Sequence, residues 1–337
     1  MTENGTKLPL QRRSFMIGAA ATGASVAMPS LVRAARWPER PLTMIVPSDA
    51  GGSIDRAIRG LSTVMQKHIG QPIQVENRPG GSFMLGVRYF LQQPQDGNVI
   101  LAHALSPYIA SSILFHQAPY KIEDFAFMNA FWSDWDVIAA YKDSPYRTLP
   151  DLLKAIKENP KKVRASVVTG SSGHLTTLLM LQRAGIPIGN LNLVTFQGGG
   201  QARQAIAGGQ VDFIVIAGSG SEGVREFVKP LAVVRDTPHP DWDAPVLAEA
   251  TKSMGLSLPV LPGSMRGLAM STRFRAEHPD RWDIIQAAHK ATLQDPDFIK
   301  FAESNAMGHD WLGPEKTTEK VKAVHDLFAE FKPLLQR

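Results

Sequence analysis

The stretch Pro47-Ser48-Asp49-Ala50-Gly51-Gly52-Ser53-Ile54-Asp55 concentrates residue types that can hold an anion without reacting with it. Gly51 and Gly52 let the backbone turn sharply and leave its amides uncovered. Ser53 stands where it would cap a helix whose first amides have no internal partner. A helix start of this kind attracts a carboxylate. A plain βα turn with a capping serine would use the same residues. Two later stretches are similarly rich in small residues: Thr169-Gly170-Ser171-Ser172-Gly173-His174 and Gln197-Gly198-Gly199-Gly200. His174 stands at an expected helix start, where it could face an anion or simply pack.

Reactive chemistry has little support. A serine nucleophile needs a strained G-x-S-x-G elbow, and neither Ser171-Ser172 nor Ser219-Gly220-Ser221 has that spacing. There is no H-E-x-x-H pair or other tight histidine–carboxylate cluster to hold a metal, and no phosphate-binding Walker sequence. Gly218-Ser219-Gly220-Ser221-Glu222-Gly223 matches G-x-G-x-x-G, but it comes late, and no second strand with a ribose-binding acid follows at the expected distance. The chain has no cysteine, which excludes disulfides, thiol catalysis and thiolate metal sites. Many backbone amides and hydroxyls, with no nucleophile–base pair and no expected cofactor, suit binding without turnover.

The elements that must position these loops follow from periodicity. Leu42–Val46 is an apolar, β-branched strand, and Ile54, Ala57, Ile58, Leu61, Met65 and Ile69 recur at helical spacing after it. Pro72–Asn77 reads as a second strand, with a helix carrying Phe83, Val87, Phe90 and Leu91 behind it, and Val99–Ala102 as a third. This is βαβαβ, the grammar of a parallel sheet covered by helices. Ligands of such sheets sit beyond the carboxyl ends of the strands, the edge to which the loops at Gly51, Gly80 and Ser106 belong. Val137–Tyr141 is a further strand, and Thr148 caps the helix after it. The grammar then repeats through strands at Val163–Val168, Leu193–Phe196 and Val211–Ile216. Residues 139 to 263 thus form a second α/β lobe, and two such lobes would make a cleft.

The first 34 residues read as an address. Arg12-Arg13-Ser14-Phe15-Met16 opens an apolar run that ends at a small-residue cleavage site, Val32-Arg33-Ala34, the pattern of a twin-arginine export signal. Its loss removes four basic side chains and one acid, so the formal charge falls from +5 to +2. The remaining charges alternate without a basic stripe, which argues against nucleic-acid binding. The mature chain is expected to be soluble, monomeric and periplasmic.

Several strings together resemble one family. Trp37-Pro38-x-x-Pro41-Leu42, Gly51-Gly52-x-x-Asp55, Val75-Glu76-Asn77-Arg78-Pro79-Gly80-Gly81, Pro94-x-Asp96-Gly97, Gly208-Gly209-Gln210-Val211-Asp212 and Asp295-Pro296 look like the Bug family, the extracytoplasmic receptors of tripartite tricarboxylate transporters. The resemblance runs from Trp37 to about Phe331. It implies a two-lobed α/β periplasmic binding protein of type II, the Venus-flytrap fold, with lobes at 35–138 plus 264–337 and at 139–263. It also implies a small organic acid as ligand and a membrane permease as partner, with sensing as the alternative role and an exported enzyme as a remote one. By position the ligand contacts would be Ser48, Asp49, Ala50, Gly51, Gly52 and Ser53, facing Thr169, Ser171, Ser172, Gly173 and His174 and Gln197, Gly198 and Gly199, with help from Asp55 and Ser106. A valine at Gly51 or Gly173 is then expected to block binding and leave the fold intact. The chain departs from the family at Ser48-Asp49-Ala50, where an aromatic and prolines are usual. It departs again at Ile216-Ala217-Gly218, where Asp-Asn is common. Both suggest a ligand unlike the common dicarboxylates, with an apolar or aromatic portion.

Overall fold

The computed structural model describes residues 37–335, so the expected export signal lies outside the described residues. β1 (Leu42–Val46) is followed by α1 (Ser53–Ile69), β2 (Ile73–Asn77), α2 (Met84–Gln92), β3 (Val99–Ser106) and α3 (Tyr108–His116). β1 pairs parallel with β2 on one side and β3 on the other, as βαβαβ requires. Being central, it is apolar on both faces, with Leu42, Met44, Ile45 and Val46 all fully buried. The six residues of the α1 stripe are buried, α1 packing on both the sheet and the later helix Pro279–Gln294. Each contributes about 1.5–3 kcal/mol by leaving water, less for the alanine.

β4 (Phe125–Ser133) and β5 (Asp136–Tyr141) are consecutive in sequence and belong to different sheets. The chain therefore crosses at Asp134-Trp135, and the boundary expected at 138/139 falls inside β5. The second sheet continues through α4 (Leu149–Glu158), β6 (Arg164–Val168), α5 (Ser172–Arg183), β7 (Asn192–Phe196), α6 (Gly199–Ala207), β8 (Phe213–Ala217), β9 (Val228–Val234) and α7 (Leu247–Lys252). Thr148 does cap α4, with Asp151 closing a reciprocal capping box. β10 (Met265–Ser271) returns to the first sheet, and α8 (Thr272–Glu277), α9 (Pro279–Gln294), α10 (Pro296–Ser304) and α11 (Gly313–Glu330) complete its cover.

The strand orders are β2-β1-β3-β10-β4 and β7-β6-β8-β5-β9. In each sheet the strand that arrives by crossing, β10 or β5, lies antiparallel to its neighbours. The pairing of β10 with β3 extends to Met265–Ser106, so β3 is longer than its sequence suggests. Ser106, expected in a loop, is a buried strand residue for that reason. Among the described residues no helix is long and apolar enough to cross a membrane.

A candidate ligand cleft between the two sheets

A cavity of about 360 Å³ lies where the carboxyl-end loops of the two sheets face each other. One wall is the β1–α1 loop from Ser48 to Ile54. The opposite wall is made by Ser171 and Ser172 at the start of α5 and by Gly198 to Gln201, Arg203 and Gln204 at the start of α6. Phe83, Val168 and Ile216 are among its apolar surfaces, and Tyr108, Asp136, Arg203 and Arg266 bring polar atoms to it.

The first loop is braced from behind. Asp55, in the first turn of α1, accepts a hydrogen bond from the Gly51 amide at 2.8 Å. Asn77 donates to the Ser48 carbonyl and to Asp55 Oδ1, each at 3.0 Å. Arg59 donates to both the Asp55 carboxylate and Asn77 Oδ1. Burial pushes the Asp55 carboxyl up, but the hydrogen bonds from Arg59, Gly51 and Asn77 outweigh it and hold the group below its usual range. The asparagine of the Val75–Gly81 string and the aspartate of Gly51-Gly52-x-x-Asp55 thus form one device that fixes the loop backbone. Asp55 supports the cavity without lining it. Gly51, at φ +81, supplies the turn. The cap of α1 is Gly52, with no side-chain cap bond, so Ser53 is not the cap. Ser53 is the first helical residue, and its Oγ accepts from Arg266 Nη2 at 3.4 Å.

In the second lobe Ser171 caps α5 by accepting from the His174 amide at 3.1 Å. His174 turns its Nδ1 to the Gly170 amide at 3.3 Å. Burial, with His116 nearby, lowers its pKa to about 4, so it is neutral at neutral pH and offers no cation to an anion. Thr169 extends the sheet, its amide donating to the Phe196 carbonyl at 2.9 Å. Gly173 lies against β8, where a Cβ would come within 2.8 Å of the Val215 carbonyl carbon. Thr169, Gly173, His174 and Ser106 do not line the cavity, whereas Ser171, Ser172, Gly198 and Gly199 do. Gln197 borders a shallower groove beside it, with Asp49 and Pro79. The Asp49 carboxylate reaches across, Oδ2 lying 3.8 Å from the Cβ position of Gly198.

Asp49 apart, the charged groups of the cavity escaped the sequence reading. Arg203, one turn into α6, donates from Nε to Ser221 Oγ at 2.8 Å. Its Nη2 donates to the carbonyls of Ala217 and Ser219 at 3.2 and 3.4 Å. All three acceptors are neutral, and among the described residues Nη1 has no partner. Burial pulls its pKa down to about 10, so it remains protonated at neutral pH. Arg266, on β10, donates from Nη1 to Asp134 Oδ2 at 3.0 Å in a buried pair and lies 3.8 Å over the Trp132 ring. Asp134 also accepts from the Trp135 and Ser219 amides at the crossing. Arg266 and Asp136 are charges within apolar strand runs, Met265–Ser271 and Asp136–Tyr141, and that is the signal that could have found them. Ile216 and Ala217 line the cavity as expected, and Arg203 brings a polar group to that wall.

Two five-stranded α/β sheets joined by two crossings, with loops facing across a cleft, define the class of two-lobed binding proteins. MatC from Rhodopseudomonas palustris, solved with bound malate, superposes with a TM-score of 0.76 at 22% identity, over 88% of this chain and 99% of that one. The periplasmic binding protein BugD superposes at 0.74 with 23% identity, over 89% of this chain and 98% of that one. The model of the tripartite tricarboxylate transporter family receptors matches residues 57–237, more than half of the chain. The chain belongs to this receptor family. A protein encoded between tcbD and tcbE in Pseudomonas sp. strain P51 is 30% identical over 227 residues, 66% of each chain. The chain spans just under two thirds of the length of the curated relatives it matches.

Proposed function

We propose that the mature chain is a periplasmic receptor that captures a small organic acid in the cleft and presents it to a permease of the tripartite tricarboxylate type. The observation that carries this reading is Arg203, a half-buried cation hydrogen-bonded only to neutral groups, beside the starts of α1, α5 and α6. A carboxylate there would take the free Nη1 and the amides of both lobes together. Ligand must favour the state in which the lobes meet, because equal affinity for open and closed forms would signal nothing. We take the lobes as divided at the Asp134-Trp135 crossing, 37–134 with 264–335 against 135–263, and residues 1–34 as a twin-arginine signal. Ser48–Ser53, Ser171, Ser172, Gly198 and Gly199 are the proposed loop contacts. Relatives of the same fold were solved with malate and with adipate, which supports a carboxylate.

The test is native mass spectrometry of the gently purified mature protein, followed by thermal shifts against a carboxylate panel. A bound acid of defined mass, or a shift that grows with the logarithm of ligand concentration, is the expected result. A panel of acids that leaves the melting temperature unchanged at millimolar concentration would overturn it.

A further inference from the structure

Asp136 opens β5 with its backbone paired to Ala217 of β8 and Val234 of β9. Its side chain is buried, the residue being 2% exposed, yet it belongs to the cavity wall. Oδ2 has no hydrogen-bond partner among the described residues. A carboxyl in that condition is expensive to keep, and an apolar residue would serve β5 better.

The surrounding charges explain what it could do. Asp134 is paired with Arg266, so that cation is already matched. Arg203 is bonded to neutral groups only, and neither Arg203 nor Arg266 donates a hydrogen bond to Asp136 among the described residues. Besides the unpartnered Ser48 Oγ and Arg266 Nε, the cavity therefore holds two charged groups of opposite kind that do not bond each other: the Arg203 guanidinium with a free donor and the Asp136 carboxyl with a free acceptor. Burial, with Asp134 nearby, raises the Asp136 pKa to about 7, while Ser172, Arg266 and Arg203 pull it down. At neutral pH the group can accept from an ammonium as a carboxylate or from a hydroxyl in either form.

The geometry points to Asp136 as a specificity-determining residue that selects a monocarboxylate carrying a hydrogen-bond donor, an amino or hydroxy acid, with its carboxylate on Arg203 and its donor on Asp136 Oδ2. This rests on the receptor reading above and narrows it. A dicarboxylate dianion would bring two negative charges to a single unmatched cation, with Asp49 adding a third at the mouth. The apolar surfaces of Phe83, Val168 and Ile216 leave room for a hydrocarbon portion.

The test uses matched trios of acids on three carbon skeletons of rising size, the largest phenyl-bearing. Each trio has the plain, the 2-hydroxy and the 2-amino acid, with succinate as a dianion control. Affinities for the full mature chain are measured by isothermal titration calorimetry. The expected result is that on the skeleton that fits, one donor-bearing acid binds at least about ten-fold more tightly than the plain acid. Asp136→Leu should abolish that preference, read as the ratio of the two affinities within the variant. Asp136→Asn, which keeps an acceptor without the charge, should lose the preference for an amino acid and retain much of that for a hydroxy acid. Circular dichroism verifies that both variants are folded. Plain acids or succinate binding as tightly as donor-bearing ones would overturn the inference and leave the receptor reading standing. A preference that survives Asp136→Leu would overturn the role of Asp136. Failure of every acid to bind would overturn both readings.

Discussion

Replacing Arg203 with glutamine removes the one cation lining the cleft that, among the described residues, no carboxylate pairs with. In the free protein the side chain gives three hydrogen bonds to neutral acceptors, at 2.8, 3.2 and 3.4 Å. Each is worth about 1 kcal/mol net. Ser221 Oγ still donates to the Ala217 carbonyl after the change, and the cost of burying a charge disappears with it. The ligand-free variant should therefore lose only about 1–2 kcal/mol of stability. Binding should suffer more, because a charge-assisted bond to a carboxylate contributes about 1.5–3 kcal/mol. That corresponds to a dissociation constant raised roughly 10- to 150-fold. Arg203→Lys keeps the charge without the forked donor and should fall between the two. Calorimetric titration with the tightest acid of the panel, beside a melting curve of each ligand-free protein, separates binding from folding. A dissociation constant within about two-fold of the wild type for a well-folded Arg203→Gln would refute the assignment, since that is smaller than a single neutral hydrogen bond.

Other substitutions probe the frame of the site. Asp134→Asn leaves Arg266 buried without its carboxylate and should cost about 3–5 kcal/mol, read as a lower midpoint in chemical denaturation; an unchanged midpoint would show that the pair is not important at the crossing. Gly173→Ala forces α5 away from β8 and should lower stability by about 1–3 kcal/mol, whereas Gly51→Val, in open space at φ +81, should strain only its loop, by about 1–2 kcal/mol, and weaken binding. Equal losses of stability in both would contradict this division. The raised pKa of Asp136 means the native state holds a proton that the unfolded chain releases between about pH 4 and 7. The Asp136 contribution to stability is therefore full below pH 4, falls as pH rises to about 7 and is flat above. Asp136→Asn should remove this limb and gain on the wild type by up to about 4 kcal/mol from pH 4 to 8; parallel pH profiles would count against the burial of an unpaired carboxyl.

Much of the scaffold could be read from residue order because it rests on local rules. The apolar phase of α1, the βαβαβ run and the Thr148 cap depend on spacing alone, and each is present in the structure. The site was legible only where it is backbone. Glycine and serine loops marked both walls, but which of their residues point inward depends on long-range packing. Gly173 is small because β8 passes behind it, and His174 turns back to the Gly170 amide. Ser106 became a strand residue because β10 arrives from more than 150 positions later to pair with β3. Arg203, Asp136 and Arg266 lie on three elements from both sheets, and nothing in their local sequence spacing relates them. The Asn77–Asp55 brace was visible as two motifs, but that they form one device follows only from the adjacency of β1 and β2.

The most direct measurement is a crystal structure of the mature protein grown with the tightest acid of the panel. We expect density for the ligand between the Gly51-Gly52 loop and the start of α6, with its carboxylate about 3 Å from Arg203 Nη1. Density confined to another surface, or a ligand in the cleft whose carboxylate points away from Arg203, would contradict the proposed site.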